Sequence, residues 1–311
     1  MSNHIAVDVG GTQMRAACYP SDSPTPIKID RISTQVPYAT PLERLVKLIK
    51  AVTPDGGDVA AIAVAVPGPT NPYKGIIYTA PNIPGWQNLA IGPILEEKFG
   101  IPVRLGNDAN LAALGEWQFG AGKGHHHLIY MTVSTGIGTG ILVDDRLLLG
   151  VDGLAAELGH VTVLPDGPMC GCGKRGHLEA VASGTAIAHW VEEQIAAGKP
   201  SSLPSKQTLT ARDVGMAAAQ GDPLSVEALA RAGAFLGQAL AGFIHTFNPS
   251  IIIIGGGVSL SGDFLMKPIQ DCLKEMVISP QYLEGFVLET SALADEAGLL
   301  GALALARSIS E

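Results

Sequence analysis

The sequence predicts an α/β protein of two domains, on three observations. Its 311 residues exceed the usual size of a domain with one core. Val59–Val66 is uninterruptedly apolar, which is typical of a parallel strand covered by helices on both faces. A strand, a glycine-rich turn and a returning strand occur at 5–19 and again at 129–143. This repetition indicates an internally duplicated fold.

The composition limits the partners that the chain can have. Its net charge is −9 without any basic block, which argues against nucleic acid as the main partner. The apolar runs are too short to span a bilayer, and no signal-peptide pattern opens the chain, so no membrane partner is expected. Four cysteines are too few for a disulfide scaffold. A C-x-C pair suits metal binding in a reducing compartment, which predicts a cytoplasmic protein.

The first strand, His4–Asp8, leads into a glycine turn, and Met14–Tyr19 reads as the returning strand. The turn Gly10-Gly11-Thr12 can aim backbone amides and a hydroxyl at a phosphate. Asp8, at the strand end, could hold Mg²⁺ through water. A plain β-hairpin remains the other interpretation of this segment.

The next elements predict an open α/β sheet with ligand-binding strand ends. Val59–Val66 ends at Pro67-Gly68-Pro69, at the kind of sheet edge where ligands bind, although a rigid turn would have the same sequence. Asn82 follows in a loop. The remaining predictions are strands at Ile27–Gln35, Ile76–Thr79 and Ile101–Leu105, and helices at Pro41–Val52 and Ile91–Phe99.

The motif G-N-D-A-N begins a helix that we expect to end near Phe119. Asn107 and Asp108 can be ordinary N-caps. Alternatively, Asp108 faces a cleft at a strand-to-helix junction and accepts a proton from a substrate hydroxyl. The glycine-rich segment 120–124 then predicts a hinge or linker. In His125-His126-His127, successive side chains alternate faces, so we expect a solvated loop rather than a metal site.

The second turn runs Ser134-Thr135-Gly136-Ile137-Gly138-Thr139-Gly140 between two apolar strands. It lacks the dinucleotide fingerprint, because Ile141 stands where the third glycine is required. The chain contains no Walker P-loop either. Further along, Gly255-Gly256-Gly257 follows the strand Ile251–Ile254 and could let a base or ribose lie against backbone. A helix-entry loop is the other interpretation of those glycines.

The segment from Glu157 to Glu179 predicts a metal site. Cys170 and Cys172 form a C-x-C pair, with His160 ten residues before it and His177 five residues after it. Thiolate and imidazole suit tetrahedral Zn²⁺, and four such ligands would close a structural site. The other interpretation is a glycine-rich surface loop with inert thiols and surface histidines.

The C-terminal part reads as mostly helical. Thr210 is a candidate N-cap, and 200–207 a polar loop. Helices are predicted at Ala182–Gly198, Ala211–Gln220, Pro223–Phe247, Phe264–Val277 and Asp295–Ser308, with a strand at Phe286–Glu289.

Five motifs occur in one order along the chain: D-V-G-G-T, G-N-D-A-N, E-x-G-H, C-x-C-G-x-x-G-x-L-E and G-G-G. Together they resemble the ROK family of bacterial sugar kinases and repressors. The resemblance implies the two-domain actin-like ATPase (ribonuclease H-like) α/β fold with a cleft between the domains. The smaller domain would be 1–120 plus a C-terminal helix at about 295–311, and the larger one 121–294. The chain departs at His177, where the family usually has a third cysteine.

The resemblance also implies a function, ATP-dependent phosphorylation of a hexose, most plausibly glucose on its 6-hydroxyl. Asp108 would be the general base, Zn²⁺ structural, and Mg²⁺ would bridge the phosphates. Family repressors carry a DNA-binding domain before the first turn, and a strand by residue 4 leaves no room for it. The sugar-binding residues would be Asn107, Asp108, Glu157, His160 and Glu179, with Gly68 and Asn82 as weaker candidates. Those at the nucleotide would be Asp8, Gly10, Gly11, Thr12, Thr135, Gly136, Gly255, Gly256 and Gly257.

Several alternatives stay open at this level. The phosphate donor could be polyphosphate, and the acceptor could be fructose, mannose or an N-acetylhexosamine. The chain could also be a protein of another class, a sugar sensor that keeps the sugar pocket but does not phosphorylate the sugar. The family resemblance further implies a homodimer or homotetramer and closure of the domains over the sugar.

Overall fold

The computed structural model describes residues 2–56, 58–204 and 208–309. The last three residues of the predicted polar loop 200–207 lie outside these ranges. Among the residues described, no helix has both the length and the apolar character needed to cross a membrane.

The N-terminal half is built on a five-stranded sheet with the order β3-β2-β1-β4-β8. β1 and β2 form the antiparallel hairpin of the first glycine turn, and β4 and β8 run parallel to β1. The strands are β1 Asn3–Val9, β2 Gln13–Pro20, β3 Lys28–Ser33, β4 Val59–Val66 and β8 Val103–Asn107. The helices of this half are α1 Pro41–Val52, α2 Ile91–Phe99 and α3 Asp108–Phe119.

Alternation of side-chain size along the buried strands decides which helix covers each face. Ile5 and Val7 pack with residues of α1 and α2 on one face. Ala6, on the opposite face, lies in a cluster with Leu111 of α3 and Leu303 of the last helix, α9 Ala297–Ser308. Small alanines on that face allow close approach of α9, which returns from the C-terminus to contact β1, β4 and α3, as the family resemblance implies.

The C-terminal half repeats the same sheet order with five other strands, β11-β10-β9-β12-β13. Again a hairpin, β9–β10, carries the glycine turn, and two parallel strands complete the sheet. The strands are β9 Leu128–Val133, β10 Ile137–Val143, β11 Arg146–Leu147, β12 Ile251–Gly255 and β13 Val287–Thr290. The helices are α4 Leu178–Ala182, α5 Gly184–Ala196, α6 Ala211–Ala219, α7 Pro223–Phe247 and α8 Asp263–Met276.

Most predicted elements are confirmed, and the differences have local causes. Thr210 caps α6 in a capping box, as predicted. The helix predicted over Ala182–Gly198 is interrupted at Ser183, which caps α5. The last helix begins at Ala297 because Ala294–Glu296 forms a 3₁₀ turn. A small sheet of β5 Thr70–Asn71, β6 Ile76–Thr79 and β7 Gln87–Leu89 was predicted only at β6, since two- and three-residue strands show no periodicity.

Glu116, fully buried on α3, ties together both chain segments that connect the halves. Its carboxylate accepts the N–H of Ala121, 2.8 Å away, and that of Leu293, 2.9 Å away. The Ser291 hydroxyl also donates to it. A buried carboxylate needs several donors to offset its lost hydration, and here they come from the outgoing and the returning segments.

Candidate active site and metal cluster

The first glycine turn is held through its carbonyl oxygens. The Thr34 hydroxyl donates to the Gly10 carbonyl at 2.6 Å, and the Gln35 amide donates to that of Gly11 at 3.2 Å. Within the described part of the chain, no protein acceptor takes the N–H of Gly11 or Thr12. The turn is therefore fixed while two amides stay available to an anion.

Asp8 is paired with a residue that the motif analysis assigned no role. Arg15 on β2 donates to Asp8 at 2.7 Å and to Glu296 at 3.0 Å, and it also reaches the Asp295 carbonyl. Arg15 thus balances the charge of Asp8 and attaches the first hairpin to the segment before α9. Asp8 is the cross-strand neighbour of Arg15, seven residues away, but Glu296 and Asp295 lie about 280 residues away, so no local pattern indicates the contacts with them.

Asn107 and Asp108 lie where β8 meets α3. This position is consistent both with a helix cap and with a substrate-binding site. The Asn107 oxygen accepts the N–H of Ala109 at 3.0 Å and of Asn110 at 3.2 Å, so Asn107 is the N-cap. Its amide donates to the Gly68 carbonyl at 3.2 Å. Asp108 accepts the Ala109 N–H through Oδ1 at 2.8 Å.

Asp108 has a pKa raised from its ordinary range to about 6. The first cause is desolvation, since α3 packs against strands of both halves and surrounds the carboxylate with protein. Negative charge on Asp8 and Glu157 adds to it. The side chain is nevertheless reached by solvent, so it lies in a deep but open position. A carboxylate with this pKa is suited to accept a proton near neutral pH.

The second glycine turn is held by the start of α5. The Gly184 N–H donates to the Ser134 carbonyl at 2.7 Å, and the Thr185 hydroxyl donates to the Thr135 carbonyl at 2.8 Å. The Gly255-Gly256-Gly257 turn lies against the same hairpin, where a Cβ on Gly256 would come within 2.4 Å of the Val133 carbonyl oxygen. The two predicted nucleotide segments of this half are therefore neighbours.

Glu179 joins the second turn to the loop that carries the candidate metal ligand Cys170. One carboxylate oxygen accepts the Ile137 N–H at 3.0 Å, and the other accepts the Cys170 thiol at 3.3 Å. A Cβ at Gly136 would lie 2.5 Å from this carboxylate. The turn and the cysteine loop thus share one acidic residue.

The four predicted metal ligands come together. The candidate ligand atoms of His160, Cys170, Cys172 and His177 all lie within 4.8 Å of one another. Sγ of Cys170 is 3.7 Å from Nδ1 of His160, and Sγ of Cys172 is 3.2 Å from Nδ1 of His177. Tetrahedral Zn²⁺ with ordinary bond lengths would separate sulfur and nitrogen by about 3.6 Å. The donor set therefore fits Zn²⁺, with His177 in the fourth position.

Glu157 lies just before the 3₁₀ turn Leu158–His160. Its pKa is raised, first by desolvation and also by the charge of Glu179, while His160 opposes the shift. The structure therefore brings Asp108, Glu157, His160 and Glu179 into one region. Of the weaker candidates, Gly68 accepts the Asn107 amide. The carbonyl of exposed Asn82 accepts the Gln35 amide at 2.8 Å, which places Asn82 beside the first turn.

The three adjacent histidines go to different partners, as their alternation predicts. His125 contacts the Ser250 hydroxyl at 2.8 Å. His126 contacts Asp145 at 2.8 Å, and His127 lies 3.5 Å from Asp144. Only His126 is exposed, so the predicted solvated loop is half-buried at its other two positions.

Two duplicated halves, two glycine turns and an acidic centre between them define the class, a two-domain α/β protein of the actin-like ATPase fold. A model of the ROK family matches residues 4–309, and the chain belongs to the ROK family. It is 38% identical to a glucokinase of Thermotoga maritima over 97% of this chain and 96% of the relative.

Solved structures agree with this assignment. A ROK glucokinase from Streptomyces griseus, in complex with glucose and AMPPNP, has a TM-score of 0.82 at 31% identity and covers 99% of this chain and 100% of that one. A ROK transcriptional regulator, a homologue of the E. coli MLC protein, has a TM-score of 0.88 at 31% identity, covering 98% of this chain and 78% of that one.

Proposed function

We propose that the chain is an ATP-dependent hexose kinase that converts glucose to glucose 6-phosphate. The observation that carries this proposal is Asp108, a carboxylate with a pKa of about 6 at the junction of the two halves. The glucokinase relative of nearly full length, and the related structure that binds glucose and AMPPNP, support the substrate and the donor.

Sugar recognition is assigned to the polar groups around Asp108. Hydroxyl groups need directed partners, and carboxylates, amides and an imidazole supply them. His160 faces the cysteines through Nδ1, which leaves Nε2 for a sugar hydroxyl. The proposed sugar contacts are Asn107, Asp108, Glu157, His160 and Glu179, with Gly68 and Asn82 at the margin.

In the proposed reaction, Asp108 accepts the proton of the attacking sugar hydroxyl. The hydroxyl oxygen forms a bond to the γ-phosphorus as the bond to the ADP oxygen breaks. General base assistance typically contributes about 10²–10⁴-fold to a rate. Positioning and charge neutralisation supply most of the remaining acceleration in phosphoryl transfer.

The nucleotide phosphates are assigned to the two turns, through Gly10, Gly11, Thr12, Thr135 and Gly136. The adenosine is assigned to Gly255, Gly256 and Gly257. Arg15 takes one oxygen of Asp8, and the other is left to hold Mg²⁺ through water. Mg²⁺, when bound, neutralises phosphate charge.

Zn²⁺ is proposed as a structural ion at His160, Cys170, Cys172 and His177. Burial raises the pKa of the Cys170 thiol to about 11, so the thiolate form needs a bound cation. Zn²⁺ would thereby order the loop that carries His160 and Glu179. All four cysteines are unpaired thiols, which supports a reducing, cytoplasmic setting. The role in carbohydrate metabolism follows from the proposed kinase activity.

The first domain is proposed to comprise residues 1–120 and 295–311, and the second domain residues 121–294. Contacts of α9 with β1 and β4 support the return of the last helix to the first domain. Closure of the domains over the sugar would exclude water and limit ATP hydrolysis. A homodimer or homotetramer is the expected assembly.

A sugar-responsive regulator is the second candidate, favoured by the similarity to a ROK transcriptional regulator. Such a protein would bind sugar without phosphorylating it. Under this second candidate function, a DNA-binding role stays open.

The deciding experiment follows ADP release from Mg·ATP with glucose, fructose, mannose and N-acetylhexosamines, using zinc-loaded protein. We expect turnover that depends on the sugar, fastest with glucose, and a phosphorylated product at the 6-hydroxyl. Polyphosphate in place of ATP tests the donor. Sugar binding by calorimetry without turnover with either donor would overturn the kinase proposal in favour of the regulator.

A further inference from the structure

The backbone around Glu157 is unusual and is held from one side by a single residue. Ala156 has a φ of 70°, in the left-handed region that residues other than glycine seldom occupy. Such a conformation is strained and persists only where the surroundings hold it. The strained residue directly precedes a candidate sugar ligand, so what imposes the strain also sets where Glu157 points.

Thr139 on β10 holds this segment through its hydroxyl group. Its hydroxyl donates to the carbonyl of Ala156 and accepts the N–H of Leu158 at 3.2 Å. The side chain is 5% exposed, so this hydroxyl has exchanged water for two protein partners. The two bonds fix the peptide groups on both sides of Glu157.

The turn that follows is pressed against the same strand. A Cβ at Gly159 would lie 2.2 Å from the carbonyl oxygen of Ile137, so Glu157–His160 packs on β10 at two points. The Glu157 carboxylate, by contrast, accepts no hydrogen bond from the described residues. Its backbone is thus fixed while its side chain is left available to a ligand.

We propose that Thr139 is a positioning residue for sugar recognition, which aims Glu157 at the substrate by clamping the peptides on either side of it. This inference rests on the proposed function, because it takes Glu157 as a sugar ligand. We expect the effect on the sugar and not on the nucleotide, since both hydrogen bonds of the Thr139 hydroxyl go to the segment that carries Glu157.

The test compares Thr139→Val, which keeps the β-branched shape but removes the hydroxyl, with Thr139→Ser, which keeps the hydroxyl. In zinc-loaded protein, we expect Thr139→Val to weaken glucose binding by tenfold or more in calorimetry. The KM for ATP should stay within twofold of the wild type. Thr139→Ser should behave as the wild type.

Hydrogen exchange supplies a second readout that needs no sugar. The Leu158 N–H should exchange at least tenfold faster in Thr139→Val, with β12 as the internal control for global stability. Unchanged Leu158 exchange overturns the clamp. Faster exchange with unchanged glucose affinity overturns the positioning role. If the wild type neither binds nor phosphorylates any hexose, the proposed function fails. If the wild type binds and phosphorylates a hexose and Thr139→Val is equally active, this inference alone fails.

Discussion

The two glycine turns share a strand layout but differ in what holds them. The first is anchored by neutral groups, Thr34 and Gln35, within the N-terminal half. The second is anchored by the start of α5 and, through Ile137, by the carboxylate of Glu179, which also reaches the metal cluster at Cys170. The two halves therefore have the same turn layout but different supporting contacts. Among the residues described, the second turn alone shares a carboxylate, that of Glu179, with the segment that carries the candidate metal ligands.

The largest expected effect comes from breaking the joint between the halves that carry the turns. Glu116→Leu would leave the part-buried N–H groups of Ala121 and Leu293 without their acceptor. At about 1–3 kcal/mol for each such group, we expect a loss of several kcal/mol in the free energy of unfolding, measured by urea denaturation. Glu97→Leu, an exposed helical control, should stay within about 0.5 kcal/mol. Equal stabilities of the two variants would refute the role of Glu116.

A matched pair of glycine substitutions breaks each turn separately. In Gly136→Ala, the new methyl group would displace the Glu179 carboxylate 2.5 Å away, and we expect kcat/KM to fall about 100-fold for both sugar and ATP. In Gly11→Ala, the methyl group would meet Cβ of Asn82 at 2.8 Å, and we expect mainly a higher KM for ATP, by about tenfold.

The control for this pair is Gly242→Ala on the exposed side of α7, where a Cβ meets nothing within 4 Å and activity should not change. Identical kinetic patterns for the Gly11 and Gly136 variants would mean that the supports of the two turns are not distinct.

Removal of the metal tests whether the second turn depends on the metal site while the first turn does not. Chelation of Zn²⁺ should release the loop around Glu179, weaken glucose binding by about 10–100-fold and speed hydrogen exchange at 134–137. Exchange at 10–13 should be unaffected. Cys172→Ala should reproduce the effect, and Cys272→Ser, outside the cluster, should not. An equal change at both turns, or at neither, contradicts the link through Glu179.

The smallest expected effect concerns pH. Asp108 acts as a base only when it is deprotonated, and its pKa is about 6. The value of kcat/KM for glucose should therefore rise about tenfold per pH unit below 6 and level off above it. Steady-state rates between pH 4.5 and 8 provide the measurement, with folding followed by tryptophan fluorescence. A profile without an inflection between pH 5 and 7 would argue for another base.

Elements with strong local signals were predictable from the sequence. The boundaries of α1, Pro41–Val52, follow from a proline at the first turn and a periodic apolar face, and β4 follows from its unbroken apolar run. The clustering of the four candidate metal ligands was predictable because they lie within 18 residues and have suitable chemistry. These features are encoded by neighbours in the sequence.

The features that were missed depend on distant partners. Arg15 reaches Asp8 and Glu296 together, and nothing near Arg15 in the sequence indicates Glu296. Glu116 looks like any helical glutamate, although glycines at 115 and 120 were a usable hint of close packing around it. The sequence pattern placed Thr139 in the second glycine turn, whereas the structure places it on β10 and reveals its contacts with residues 156 and 158. Long-range hydrogen bonds of this kind leave no periodic pattern.

The most direct measurement separates sugar binding from turnover in Asp108→Asn. The substitution keeps the shape of the side chain but removes its capacity to take a proton. If Asp108 is the base of a hexose kinase, the glucose Kd should stay within about fivefold of the wild type while kcat falls by about 10²–10⁴-fold. A variant that binds glucose and retains kcat within tenfold of the wild type would contradict this role for Asp108.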